Sequence, residues 1–377
     1  MTGEAEKDYD VCFISFSKPA NDARTYNLVK TMANNGKNVC LIALTDNAGN
    51  HIQNEEFDLY GIEEYQHPKM WRRWKEFSKK SKSLLKKISA NLFIAEDIYS
   101  LHIAYRFVKK SKAKFLYDSR EIYSALGPLH NNKLKQKFIT KYEKRYIKHV
   151  DEIIVSGELD AEYLREYFDH DIPYHVIMNL PYYREPVNSD IIKEKYDLKS
   201  DEIALIYQGM ILPGRGIEKV IESLQFLEKT HFFILGEGRY RKDYEELSRD
   251  LNLRNRVHFC GLIPYNELHS WTCSADIGIV FIEPVSFSYE LALPNKLFEY
   301  CMARIPSLVS DLPAMRPIIN KDKIGELISA NAKAEEIAAA IKNINKNKEI
   351  YINNCDTAAR KYSYESQVRK ILSMTGD

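Results

Sequence analysis

Tyr207-Gln-Gly-Met-Ile-Leu-Pro-Gly-Arg-Gly-Ile217 is the stretch on which the fold of this 377-residue chain turns. An apolar run, Ile203 to Tyr207, leads into it with the composition of a buried strand. Beyond it Ile217, Val220, Ile221, Leu224 and Leu227 recur at the three-to-four spacing of a helix that buries one stripe. The stretch is therefore a strand-to-helix turn. Its glycines, Gly209, Gly214 and Gly216, either punctuate the turn or let the backbone come close to a ligand. Arg215, set among them, can hold phosphate oxygens in a bidentate fork.

A second stretch, Ser288-Tyr-Glu-Leu-Ala-Leu-Pro-Asn-Lys-Leu-Phe-Glu-Tyr-Cys-Met-Ala-Arg-Ile-Pro306, carries the same chemistry further along the chain. Pro294 suits the first helical position, which places the unpaired amides around Asn295 and Lys296 at the positive end of a helix dipole, where a diphosphate fits. Lys296 and Asn295 lie three and four residues before Glu299 and share a helix face with it, leaving Leu297, Phe298, Tyr300 and Met302 to pack. A cation for phosphate beside a carboxylate for ribose hydroxyls points to a nucleotide. A buried amphipathic helix with a surface Lys–Glu pair is the alternative reading of the same residues.

Four motifs in order, Gly214-Arg-Gly216, Leu235-Gly-Glu-Gly238, Val257-His-Phe-Cys-Gly-Leu-Ile-Pro264 and Leu293-Pro-Asn-Lys-Leu-Phe-Glu-Tyr300, make the second half resemble the donor-binding domain of family 4 glycosyltransferases. In the first half Glu96-Asp97, Tyr117-Asp-Ser-Arg-Glu-Ile-Tyr123, Val155-Ser156 and Asn179-Leu-Pro181 resemble the acceptor domain of the same family, so the likeness covers nearly the whole chain. The resemblance implies the GT-B fold, two Rossmann-like doubly wound α/β domains facing a central cleft, and transfer with retention of anomeric configuration. It implies that Arg215 meets the donor diphosphate and Glu299 the donor ribose. Lys296 supplies the charge lost where Met210 replaces a basic residue. Gly209, Gly214, Gly216, Glu237, Gly261, Leu262, Pro294 and Asn295 complete the donor side, with the base near Gly261 to Pro264. The first acid of the family's paired-glutamate motif falls on Leu291, and Glu290 is one residue out of register. Asp22, Arg24, Asp97, Asp118, Arg120 and Glu121 are the acceptor-side candidates; Arg120 stands where relatives often carry histidine, and a loop Asp–Arg pair such as Asp22 and Arg24 is more often structural.

Length and composition agree with two separate cores. Apolar β-like runs alternate with helical ones: Val11 to Phe16, Leu28 to Ala33, Val39 to Ala43, Leu92 to Ala95, Ile103 to Val108 and Lys114 to Tyr117, and the rhythm resumes after Asp201. Such alternation predicts parallel sheets covered by helices. The domains are expected at 1–185 and 201–360, with a final helix at 363–377 returning to the first. Six scattered cysteines, Cys12, Cys40, Cys260, Cys273, Cys301 and Cys355, form no metal or redox motif and read as small core residues. The polar Met1 to Asp10 segment is unlike a secretory leader, and no run is long enough to span a bilayer, so a cytoplasmic location is expected.

Charge is nearly balanced, 54 Lys and Arg against 53 Asp and Glu, but unevenly placed. Lys69, Arg72, Arg73, Lys75, Lys79, Lys80, Lys82, Lys86 and Lys87 are interleaved with Trp71, Trp74, Phe77, Leu84, Leu85 and Ile88, opposed only by Glu76, and a second basic helix runs from Lys133 to Lys148. Basic and aromatic residues at helical spacing suit the inner surface of an anionic membrane, through segment 69–88; a solvated charged face is the plainer reading. No nucleic-acid module is present. The expected partners are a nucleotide-sugar donor and a glycan or lipid-linked acceptor, in bacterial surface-polysaccharide or lipopolysaccharide synthesis. No metal or other cofactor is expected, because Arg215, Lys296 and the helix at Pro294 can meet the charge on the leaving diphosphate. A nucleotide-sugar epimerase of the same fold, or a non-catalytic nucleotide-sugar-binding or scaffold protein, are the alternatives.

Overall fold

The computed structural model describes residues 7–46, 51–53, 56–125, 132–285 and 287–376; the first six residues of the polar amino-terminal segment lie outside them. The chain divides into two compact units, Met1–Met178 with Gln367–Asp377, and Asn179–Ser366. The division falls between Met178 and Asn179, a few residues before the expected end of the first domain at 185.

In the first unit, strands β1 (Lys7–Ile14), β2 (Val39–Thr45), β3 (His51–Gln53), β4 (Asp58–Glu63), β5 (Ile88–Ala95), β6 (Lys114–Ser119), β7 (Glu152–Val155) and β8 (Tyr174–Val176) alternate with helices α1 (Ala23–Asn34), α2 (Met70–Leu84), α3 (Ile98–Val108), α4 (Lys133–Ile147) and α5 (Glu158–Phe168). The sheet order is β3-β4-β2-β1-β5-β6-β7-β8, parallel except for β3 against β4. Val39 to Leu44 are all buried, as expected of a strand covered on both faces. Two helices begin on acidic caps: Asp22 accepts from the Thr25 amide at 3.1 Å and Asp97 from the Ser100 amide at 2.7 Å, each satisfying a donor the helix cannot.

The second unit holds α6 (Ile191–Tyr196), β9 (Ile203–Gln208), α7 (Ile217–Ser223), β10 (Thr230–Leu235), α8 (Arg241–Asp250), β11 (Val257–Gly261), α9 (Tyr265–Cys273), β12 (Ile277–Val280), α10 (Phe287–Glu290), α11 (Asn295–Met302), β13 (Ser307–Ser310), α12 (Arg316–Asp322), β14 (Gly325–Ile328), α13 (Ala334–Lys346) and α14 (Lys348–Lys361). Its sheet, β11-β10-β9-β12-β13-β14, is wholly parallel. Leu205, Tyr207, Phe232, Ile234, Ile277 and Ile279 pack in one core with Val220, Ile221, Ile337 and Ile341. The helix predicted through Leu227 ends sooner, because α7 tightens into a 3₁₀ turn at Leu224–Phe226 and Leu227 is already extended. Pro294 caps α11 from an extended conformation, so the first helical residue is Asn295, one later than predicted. The last helix, α15 (Val368–Ser373), packs on α1 in the first unit.

Both sheets reverse their order of strand addition once, between β1 and β5 and between β9 and β12. Loops leaving the strands on either side of such a switch point diverge, and the crevice at the carboxyl ends of those strands is where open α/β sheets take ligands. Free thiols account for all six cysteines; four are buried and Cys260 and Cys273 are half-buried.

Candidate nucleotide site

The loop after β9 is shaped by backbone close to backbone. Gly236 has φ 150°, and a β-carbon there would stand 1.9 Å from the Gly209 carbonyl oxygen; Gly216 has φ 67°, and a β-carbon on it would meet the Phe281 ring at 2.4 Å. Only glycine fits at either position, so the turn lies down against β10 and β12. Gly214 sits against Val285 and Tyr289, which brings the segment after β12 onto the same turn.

Two cations converge there. Lys296, in the first turn of α11, places its Nζ 3.6 Å from the centroid of the Tyr207 ring and close beside Gly209. Arg215 stacks 4.6 Å from the centroid of Tyr289. Neither has a carboxylate partner within ion-pair distance among the described residues. Burial above all, then the charge of Arg215, holds the Lys296 ammonium well below its usual range, with Glu299 opposing. Two cations kept together without a counter-ion, on the face of an aromatic ring and at a helix amino terminus, form a ready receptor for a polyanion.

One turn further along α11, Glu299 accepts a hydrogen bond from Gln208 Nε2 at the end of β9. Burial raises its pKa, against the Gln208 hydrogen bond and the charges of Lys296 and Arg184. The Tyr300 hydroxyl ties α11 to the same strand, accepting from the Gln208 amide and donating to the Ile206 carbonyl, both at 3.2 Å. A pocket beside Glu299 is lined by Arg184, Gln208, Tyr265, His269 and Thr272, with Arg184 stacked 5.1 Å from the Tyr265 ring centroid.

Of the residues read from sequence, the structure thus gathers Gly209, Gly214, Arg215, Gly216, Pro294, Asn295, Lys296 and Glu299 about one switch point. Glu237 is exposed and pairs with Arg241. Gly261 bonds through its carbonyl to the Gly236 amide at 2.8 Å, and the next residue, Leu262, is 76% exposed. Glu290 ends the single turn of α10 and is exposed. Sequence reasoning missed Tyr207, Gln208, Thr272, Tyr289 and Arg184 as partners of these groups. Gln208 alone carried a signal, being a polar amide at the end of an otherwise apolar strand.

The acceptor-side candidates occupy the switch point of the first sheet, largely as internal structure. Asp118 is buried and holds Arg24 through two bonds of 2.7 and 2.9 Å, while Arg24 also donates to the Ile177 carbonyl. Arg120 spans Asp22, at 2.6 Å, and Glu96. Asp97 caps α3 and accepts from the Phe16 amide at 3.1 Å. Asp97 and Asp118, read from sequence as acceptor-side candidates, are therefore tied to the backbone and to Arg24 respectively. Removal from water drives Glu96 up to about 8, with Arg120 pulling the other way. Glu121 is exposed.

Residues 188–362, within the second unit, match the model of the family Glycosyl transferases group 1. A short stretch of 62 residues is 29% identical to the lipopolysaccharide core biosynthesis glycosyltransferase LpsD of Rhizobium meliloti, covering 16% of this chain and 18% of that protein's length. Among solved structures, sucrose-phosphate synthase of Thermosynechococcus elongatus superposes with TM-score 0.78 at 16% identity over 97% of both chains. Anabaena HepE in complex with UDP-glucose gives 0.74 at 12% identity over 98% of this chain and 99% of that one. These likenesses establish the fold as GT-B.

Proposed function

We propose that the chain is a retaining glycosyltransferase of the family 4 type that moves a hexosyl group from a nucleoside-diphosphate sugar to a glycan or lipid-linked acceptor in lipopolysaccharide or related surface-polysaccharide assembly. The observation that carries this reading is the pair of uncompensated cations, Arg215 and Lys296, at the start of α11, one helical turn from Glu299. In the reaction the bond from the anomeric carbon to the diphosphate oxygen breaks, the acceptor oxygen bonds to that carbon, and the acceptor's hydroxyl proton is released. Negative charge grows on the leaving diphosphate as the sugar becomes cationic, so fixed positive groups at the phosphates lower the barrier. Arg215, Lys296 and the amides of α11 are that fixed charge, and on this reading no divalent ion is needed. Glu299 takes the ribose hydroxyls. Support for a UDP-type donor comes from HepE, and for the pathway from the LpsD stretch.

The acceptor side falls to the first unit, which also accounts for its basic face. Helices α2, α3 and α4 lie side by side, and the charges of Lys82, Arg106, Arg145 and Lys109 reinforce the effect of burial in holding His102 down at about 4. At the starts of α2 and α4, Met70, Trp71, Leu134 and Phe138 are exposed, the last two to 82% and 71%. Cations with apolar residues beside them fit the inner surface of an anionic membrane, where a lipid-linked acceptor would be presented. No helix among the described residues is long and apolar enough to cross a membrane.

Thermal unfolding against UDP, GDP, ADP, CMP and dTDP tests the donor site, since a ligand at a hundredfold its dissociation constant adds about 2.7 kcal/mol. One diphosphate should raise the midpoint, and Arg215→Ala and Glu299→Ala should abolish the rise. No rise with any of the five would overturn the donor site. Transfer that requires an added acceptor separates a transferase from an epimerase or a binding protein.

A further inference from the structure

We propose that Thr272 and Gln208 form a positioning relay that fixes the Glu299 carboxylate for recognition of a nucleotide's ribose diol. The proposal rests on the donor-site reading above and adds to it two residues that touch no reacting atom.

Gln208 is buried at the carboxyl end of β9, where an apolar side chain would continue the strand. A buried amide is costly unless both its ends are bonded. Both are: Nε2 donates to Glu299 Oε2, and Oε1 accepts from the Thr272 hydroxyl at 3.0 Å. The bonds join residues from three elements, β9, α9 and α11, and Gln208, Thr272 and Glu299 line the same pocket.

The chemistry gives the relay a direction. An ionised carboxylate has no proton to offer, so the amide must turn its NH₂ toward Glu299 and its oxygen toward Thr272. Thr272 has one proton and two acceptors, Gln208 Oε1 and the Leu268 carbonyl at 2.7 Å. When that proton goes to Gln208, the order Thr272 to Gln208 to Glu299 is complete and both ends of the Gln208 amide are satisfied. The reversed amide would set its oxygen against the carboxylate. Oε2 is thereby held, while Oε1 accepts no hydrogen bond among the described residues. One oxygen anchored and the other open is the arrangement a carboxylate needs to meet vicinal hydroxyls in a single orientation.

The test measures the affinities of UDP, GDP and ADP, each beside its 2′,3′-dideoxy form, for the wild type and for Glu299→Gln, Gln208→Leu, Thr272→Val and Thr272→Ser. For the base that binds best, the wild type should prefer the ribose form by at least 10-fold, about 1.4 kcal/mol, and Glu299→Gln should erase that preference. Gln208→Leu should reduce it to about 2-fold while leaving the dideoxy form bound within about 3-fold of wild type, a split that general loss of packing would not produce. Thr272→Val should fall between, and Thr272→Ser should keep the full preference. Wild-type preference in both Gln208→Leu and Thr272→Val would overturn the relay and leave the donor site standing. If Gln208→Leu does not fold, the near-isosteric Thr272→Val decides alone. A wild type that binds none of the six, or shows no ribose preference, overturns the role given to Glu299 and the relay with it.

Discussion

Binding of a nucleoside diphosphate should draw a proton onto Lys296. In the free protein, burial and the neighbouring Arg215 depress this ammonium, so it is discharged at a lower pH than a lysine in water. A single negative charge brought to about 4 Å at an effective dielectric of 20 favours the charged form by about 4 kcal/mol, or roughly three pKa units. A diphosphate carries more than one such charge and so strengthens this restoring effect. The sign follows: above the free protein's lowered pKa Lys296 is neutral, the ligand recharges it, and affinity falls as pH rises. Calorimetric titration in PIPES, HEPES and Tris, which differ in ionisation enthalpy, reads the protons taken up per nucleotide. Uptake should grow toward one as pH rises to about 9, short of lysine's ordinary pKa near 10.4. Lys296→Met should abolish the uptake and weaken binding by about 2 to 3 kcal/mol, 30- to 150-fold. Equal proton uptake by wild type and Lys296→Met across that pH range would show that Lys296 is not the group the nucleotide recharges.

Two more outcomes check other parts of the molecule. Replacing Lys82, Arg106, Lys109 and Arg145 by Gln should cut binding to phosphatidylserine-rich vesicles roughly a thousandfold, at about 1 kcal/mol per charge; retention of wild-type binding in a sedimentation assay would count against the membrane face. Glu143, buried in α4 with the Tyr117 hydroxyl at 2.9 Å, is pushed up to about 7 by desolvation. The folded state keeps that proton after the unfolded chain has lost it, so this contribution to stability is complete below the unfolded pKa and disappears as pH climbs through 7, a loss on the order of 3 kcal/mol. Urea unfolding followed by tryptophan fluorescence should show a smaller decline over this range in Glu143→Gln than in wild type, and parallel declines would sink the assignment.

What this sequence determined by itself was local. The alternation of apolar runs called for parallel sheets, because a strand buried on both faces must be apolar throughout, as Val39 to Leu44 are. The glycine turn and the Pro-Asn-Lys helix start were equally legible, since φ above zero, close backbone approach and an unpaired helix end each demand particular residues. The partition between partners was not. Gln208 meets Glu299 across 91 residues, Arg24 meets Asp118 across 94, and Lys296 covers a ring in another element. Spacing tells which side chains share one helix face, and says nothing of which strand ends are neighbours. That depends on strand order, and it is the reversal between β9 and β12 that sets the turn after β9 against α11. The same limit explains Asp97 and Asp118, which as letters looked like ligand-facing acids: only the packed switch point of the first sheet, where leaving water must be compensated by a partner, assigns one to a helix cap and the other to an arginine.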